Sequence, residues 1–375
     1  MNKIFTHQIC LLLPLVTLFA SCKTRPADLS QTPIVRKDKA FTEFFRRTSG
    51  WVAGDGAISL PLQDGRVLWF FGDSHVNDFD ARSRTVPCLF QVRNAAIIHD
   101  KNNLRPSGTR LVNEPANKNL FHHPDGGKFW FWPMAGFQSG DAVYVSLMAL
   151  QPRGIPGMWD FKGIGQYWAK MKLPDLESIS YVALPDFNGI DFGCGFFPEP
   201  ESGYTFAFGQ KGNGRGTLIY VARFRTAEPE GDWTFWNGKN WNANVANAVA
   251  VASGASVSVS ACKIKNKFLL TSSALSTQCD TGKEIFVSTS DSPTGPFTPL
   301  KKIFTLDDTF HGHYPFFYIP VAHPEFMNAK NELLITYSIN GYDPCVPTCV
   351  NGRMNPDHYR PKAIRVPLKV IDPEF

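Results

Sequence analysis

The sequence has no Lys/Arg block: 38 basic residues stand against 33 acidic ones over 375 positions, a formal net charge of +5. Nucleic acid is therefore not expected as a partner, because phosphate binding needs clustered positive charge. Beyond the N-terminus no stretch offers the roughly 18 uninterrupted apolar residues of a spanning helix. Long helical apolar periods are missing too. There is no G-x-S-x-G elbow, no H-E-x-x-H, no Walker loop, and no G-x-G-x-x-G between a strand and a helix. Their absence removes the commonest serine-hydrolase, zinc-protease, P-loop and dinucleotide readings. No cofactor and no metal-ligand set is implied, and bound calcium stays open.

What is abundant is aromatic: 31 Phe, 10 Tyr and 9 Trp, with 30 Gly and 28 Pro. Gly plus Pro exceeds the usual share of about 12 %. Aromatics between frequent turn formers describe many short strands, an all-β chain. With 43 % hydrophobic residues the chain can bury a large core.

Lys3, the apolar run Leu11 to Phe19 and the small pair Ala20-Ser21 read as an export signal over residues 1–21. Cys22 follows at once, and Phe19-Ala20-Ser21-Cys22 resembles the lipobox of bacterial lipoproteins. Lipidation of Cys22 is expected, with an ordinary secretory signal as the alternative. Residues 22–40 are read as a polar tether and 41–375 as one domain. The membrane is then a partner only through acyl chains. The tether has no acidic cluster, so a periplasm-facing anchor is expected over display at the cell surface. Export permits disulfides; Cys345 and Cys349, flanking a three-residue loop, are the expected pair.

A turn signal followed by an apolar strand occurs five times, at Asp64-Gly65, Ser139-Gly140, Ser202-Gly203, Asn266-Lys267 and Lys330-Asn331. The steps from Gly65 are 75, 63, 63 and 65 residues. Each turn has a strand before it, and a third strand is readable in four of the units. Four strands cannot bury both faces alone, so the units must stack, and closing them into a ring protects the edges. A five-bladed β-propeller is expected.

In such a ring the first strand of each blade lines the axis. Asp55 lies nine residues before Asp64 and Asp73 nine after it, so both belong at one end of the first hairpin, beside the axial mouth. Asp191 enters the first strand of the third unit among Phe and Gly. Catalysis is assigned to Asp55, Asp73 and Asp191. Trp51, His75, Trp132, His323 and Glu325 are the candidate sugar contacts, since aromatic rings stack on sugar faces and polar groups take the hydroxyls.

The run Trp51–Ser74, the Tyr220–Arg223 strand, the Trp233–Trp241 segment and His323-Pro324-Glu325 resemble a bacterial family of secreted five-bladed propellers. Its relatives include endo-acting hydrolases of D-arabinan, and the architecture is similar to arabinanases and other furanoside hydrolases. The resemblance implies carboxylate catalysis in the axial funnel on a glycan that contains arabinofuranose. Asp55 is then expected as base, Asp191 as acid across the funnel in an inverting arrangement, and Asp73 as the group that orients or tunes its neighbour. The competing expectation is a non-catalytic glycan-binding envelope lipoprotein using the same funnel. Oligomeric state is not legible.

Overall fold

In the computed structural model, residues 34–375 are described, apart from 113–117, 156, 158, 215, 277–279 and 342–345. Cys22, the signal segment and Cys345 lie outside the described residues.

Five antiparallel sheets follow one another along the chain. Blade one is Ile58–Pro61, Arg66–Phe71, Ala95–Asp100 and Thr109–Leu111. Blade two is Trp130–Ser139, Ala142–Gln151, Lys162–Lys172 and Ile179–Ala183. Blade three begins at Asp191–Glu199, Tyr204–Gly212 and Thr217–Arg225, and adds Thr234–Trp236, Trp241–Asn242 and Ala252–Gly254 at its outer side. Blade four is Val259–Ile264, Lys267–Ser273, Glu284–Ser290 and Lys301–Thr305. Blade five is Phe316–His323, Glu332–Asn340 and Lys362–Pro367, completed by Arg36–Lys37. The protein is a five-bladed β-propeller. All five turn signals sit between the first and second strands of their blades, as period-2 alternation on either side of a turn dictates.

Apolar faces meet between neighbouring blades. Leu68, Phe70, Phe131, Val143 and Met171 fill one interface, and Phe137, Trp168, Phe196 and Phe224 fill the next. Burying these apolar faces, at about 25 cal/mol per Å² removed from water, holds neighbouring blades together.

Two features depart from expectation. Arg36 and Lys37, read as tether, pair with Arg365 and Ile364 and form the outer strand of blade five. The next residue fixes that choice: Asp38 caps the helix Lys39–Phe44 by accepting from Phe41 N at 3.0 Å, and meets Arg365 Nε at 2.6 Å in a buried ion pair. A helix cap and a buried ion pair at one residue outweigh a polar composition.

The disulfide also differs. Cys349 bonds to Cys88, not to Cys345. The loop between strands two and three of blade one pairs with its counterpart from blade five, Val86–Pro87 against Arg353–Met354. Cys88 N then donates to Gly352 O at 3.1 Å, and the two cysteine Cα atoms stand 5.5 Å apart. Nearness in sequence loses to a pairing made across 261 residues. Cys194 and Cys262 are buried free thiols.

Candidate active site

The innermost strands leave an axial funnel of about 1460 Å³, lined by residues of all five blades. Its acids are Asp55, Asp73, Asp160, Asp191 and Glu325, against two cations, Arg93 and Lys263, among the described lining residues.

Asp55 and Asp73 are neighbours at the open end of the blade-one hairpin, near enough for the charge of Asp55 to raise Asp73. Gly54 is opposite Ser74 and Ile58 is opposite Phe70, and between these two pairs Gly72 N donates to Asp55 O at 3.0 Å. Gly72 is required here, since a Cβ on it would strike the Asp55 carboxylate.

The two carboxyls are held differently. Asp55 Oδ2 accepts from Tyr318 Oη at 2.8 Å and Tyr359 Oη at 3.1 Å. Burial outweighs these donors and pushes its pKa up to about 6. Asp73 Oδ1 accepts from Trp132 Nε1 at 3.1 Å, and Arg93 Nη1 lies 3.3–3.4 Å from both oxygens. Burial first and the charge of Asp55 second defeat those donors, so Asp73 is raised to about 7. Both carboxyls thus hold their protons more tightly than an ordinary aspartate does, and ionising Asp55 hinders the ionisation of Asp73. Arg93 is steered by rings, its guanidinium 4.4 Å from the Trp130 centroid and 4.9 Å from that of Phe90.

Asp191 opens the first strand of blade three, opposite Gln210. Its pKa is raised by burial and then by Asp186. It shares the funnel with the pair but stands on a different blade.

The remaining candidates divide. Trp132 lines the funnel and orients Asp73. His75 lines it as well; its Nδ1 meets Asp78 Oδ2 at 2.7 Å, and its buried Nε2 has no protein partner. Trp51 does not reach the funnel. It is fully buried, stacked on Phe71 at 4.1 Å, with Nε1 donating to Ser74 Oγ. An aromatic just before a catalytic candidate points to core or cavity according to strand face, and here the face is the core.

His323 is likewise fully buried outside the funnel lining, between Ser59 Oγ at 2.5 Å and Thr336 Oγ1 at 2.8 Å. Glu325 does line the funnel, in the turn Pro324–Phe326, and accepts from Ser59 Oγ. Ser59 thus bridges blade one to both residues from blade five. His323 serves blade docking and is not a sugar contact.

Sequence reasoning missed Tyr318, Tyr359 and Arg93. Tyr318 could have been read from its place in Phe316-Phe317-Tyr318, an aromatic run that opens the innermost strand of blade five. Tyr359 follows an irregular loop and carried no signal.

A further aromatic arc frames the mouth. The loop after Gln151 in blade two brings Phe161 against Trp132 at 4.7 Å and Trp159 against Phe316 of blade five at 5.8 Å; Phe316 stacks on Tyr318 at 4.6 Å. Asp160 fixes that loop by accepting from the backbone N–H groups of Arg153, Gly154 and Ile155 at 2.6–3.1 Å. Among the described residues, no group of three or more His, Cys, Asp or Glu is placed to hold a metal ion.

The family described as "Domain of unknown function (DUF5005)" matches residues 38–368. No curated protein sequence matches the chain. Among solved structures, a Bacteroides ovatus ATCC 8483 protein provisionally named a hydrolase superposes with a TM-score of 0.68 at 19 % identity, over 88 % of this chain and 90 % of that one. An inulosucrase from Halalkalicoccus jeotgali bound to kestose gives 0.49 at 14 % identity, over 86 % and 83 %. A GH43_1 enzyme from Xanthomonas citri complexed with xylose gives 0.44 at 14 %, over 87 % and 92 %. At these identities the first likeness speaks for the fold, and the other two carry no further weight.

Proposed function

Because the chain belongs to the DUF5005 family and folds as a propeller with buried acids in its funnel, we propose that it is a glycoside hydrolase acting on an oligo- or polysaccharide. Glycans containing arabinofuranose are the first substrates to try. The observation that carries this reading is the Asp55–Asp73 pair, two neighbouring buried carboxyls of the funnel raised to about 6 and about 7 beside aromatic rings. Glycoside cleavage needs one carboxyl that keeps a proton and one that has lost it.

In this reading Asp73, the higher of the two, protonates the leaving oxygen. Asp55, ionised and gripped by two tyrosine hydroxyls, attacks the sugar or activates water. This moves the acid from Asp191, expected from sequence, to Asp73, because Asp73 lies beside Asp55 and the charge of Asp55 helps burial to keep it protonated. Neighbouring carboxyls on one hairpin also favour the close spacing of about 5–5.5 Å that accompanies retention, rather than the wider spacing of inversion.

The test is hydrolysis of arabinans, arabinogalactans and related glycans, with the first-formed anomer read by NMR. Retention supports the pair. Inversion, with Asp191→Asn inactive and Asp73→Asn active, returns the acid to blade three. No cleavage of any glycan, with binding intact, leaves the funnel as a capture site. Attachment through a lipidated Cys22, facing the periplasm, is part of the same proposal. Cys22→Ser should release the protein into the soluble fraction, while protease treatment of intact cells should leave the wild type uncut.

A further inference from the structure

The funnel has a second polar region, away from the blade-one pair. Thr217, Ser273 and Ser276 are 1 %, 3 % and 2 % exposed, line the funnel, and have hydroxyls without a protein partner. Buried hydroxyls are almost always hydrogen-bonded, so three on one wall mark a place where the partner comes from outside the chain.

Their placement follows from the register. Thr217 begins the third strand of blade three and pairs with Gly254. The next residue, Ala255, donates its N–H to Ser272 Oγ at 3.1 Å, which brings the end of the blade-four strand Lys267–Ser273 alongside. The Ser256–Ser258 loop between them also lines the funnel. On the blade-three side, Gln210 Oε1 is again unpartnered, and Gln210 stands opposite Asp191. The lip thus presents three hydroxyls, one amide carbonyl and one carboxylate.

The chemistry selects the ligand. Hydroxyls both donate and accept, while the amide carbonyl and the carboxylate only accept. Such a set suits a ligand rich in hydroxyls and repels a carboxylate or sulfate. Arg93 is committed to Asp73, and Lys263 sits by the Phe268 ring, 5.3 Å from its centroid; neither cation is offered at this lip.

We propose that the lip between blades three and four is a second sugar subsite, recognising an uncharged saccharide unit through Thr217, Ser273, Ser276, Gln210 and Asp191. Resting on the hydrolase reading, it implies a substrate of two or more neutral sugar units, reaching from the Asp55–Asp73 pair to this lip. Asp191 acts here as a sugar-hydroxyl acceptor.

The test separates binding from cleavage. Full-length wild type, Asp55→Asn, and the near-isosteric double variant Thr217→Val/Ser273→Ala are titrated with arabinan, arabinogalactan and polygalacturonate by affinity electrophoresis and calorimetry. Wild type and Asp55→Asn should bind a neutral glycan alike, and the double variant should bind it at least tenfold more weakly. If the double variant misfolds, the single variants keep the test valid: Thr217→Val should bind several-fold more weakly, while Thr217→Ser, which keeps the hydroxyl, should bind as wild type, and equal binding by the two overturns the subsite. Binding by Thr217→Val/Ser273→Ala equal to wild type, no retention of a neutral glycan, or equal retention of polygalacturonate would each overturn the subsite. Neutral binding that needs these hydroxyls, with no bond cleaved by the wild type, would support the subsite and refute the hydrolase.

Discussion

One hairpin carries aspartates at both ends, and they behave oppositely. At the turn, Asp64 is held below its ordinary pKa by its hydrogen bond to Arg66. Its side chain is 46 % exposed. At the mouth, Asp55 and Asp73 are pushed far above theirs, although donors reach both. The residue type is the same; the difference is water. At the turn, solvation supports the charge and the aspartate serves the local backbone. In the funnel, burial outweighs every donor and leaves protons that can be given away. A carboxylate on a strand end therefore reports function only when its register and its face are both known.

The sharpest way to break the comparison is to neutralise one acid at each end. Asp55→Asn should lower kcat/KM by about 10²–10⁴-fold with the fold intact by circular dichroism, whereas Asp64→Asn should leave the rate unchanged. Comparable losses in both would mean that the hairpin, and not the pair, matters.

A smaller effect should follow from Tyr318→Phe, which removes one hydroxyl from Asp55. The remaining carboxyl should ionise less readily. The acid limb of the pH–rate profile, near 6 in the wild type, should rise, and kcat/KM should fall by about tenfold, equivalent to about 1.4 kcal/mol. A flat response of that limb would show that Tyr318 only packs. The basic limb, near 7, belongs to the pair as well, so the wild-type optimum should lie between the two.

Stability should show the same contrast with a predictable sign. Both funnel carboxyls bind protons more tightly folded than unfolded. Their contribution is therefore complete below about pH 4 and is lost as pH rises through about 6 to 7. Asp73→Asn should raise Tm at pH 8 by a few degrees and leave it nearly unchanged at pH 4. Equal shifts at both pH values would remove titration as the cause. Asp64→Asn should show the smallest effect of all, within about 0.5 kcal/mol at either pH, because an exposed ion pair is screened by solvent.

The five hairpins and the meeting of Asp55 and Asp73 at one end of the first were legible because both follow from local arithmetic: turn signals, alternation, and equal distances from Asp64. What was not legible depends on residues far apart in the chain. Tyr359 reaches Asp55 across 304 positions, and Cys88 reaches Cys349 across 261. Trp51 and His323 were misread for a different reason. Their types suit a sugar site, but burial assigns Trp51 to the stack on Phe71 and His323 to the blade junction at Ser59.

The strand Arg36–Lys37 also sets the order in which the ring can be made. Its partner, Lys362–Pro367, is synthesised some 325 residues later, an interval on the order of 15–65 s at 5–20 residues per second. Throughout that wait the first strand has no partner, and closure is among the least local contacts in the molecule, which makes it slow. Two residues long and both cationic, it is a poor template for stray strands of other chains. The seam that closes the propeller is thus short and charged enough to stay single until its own C-terminal partner arrives.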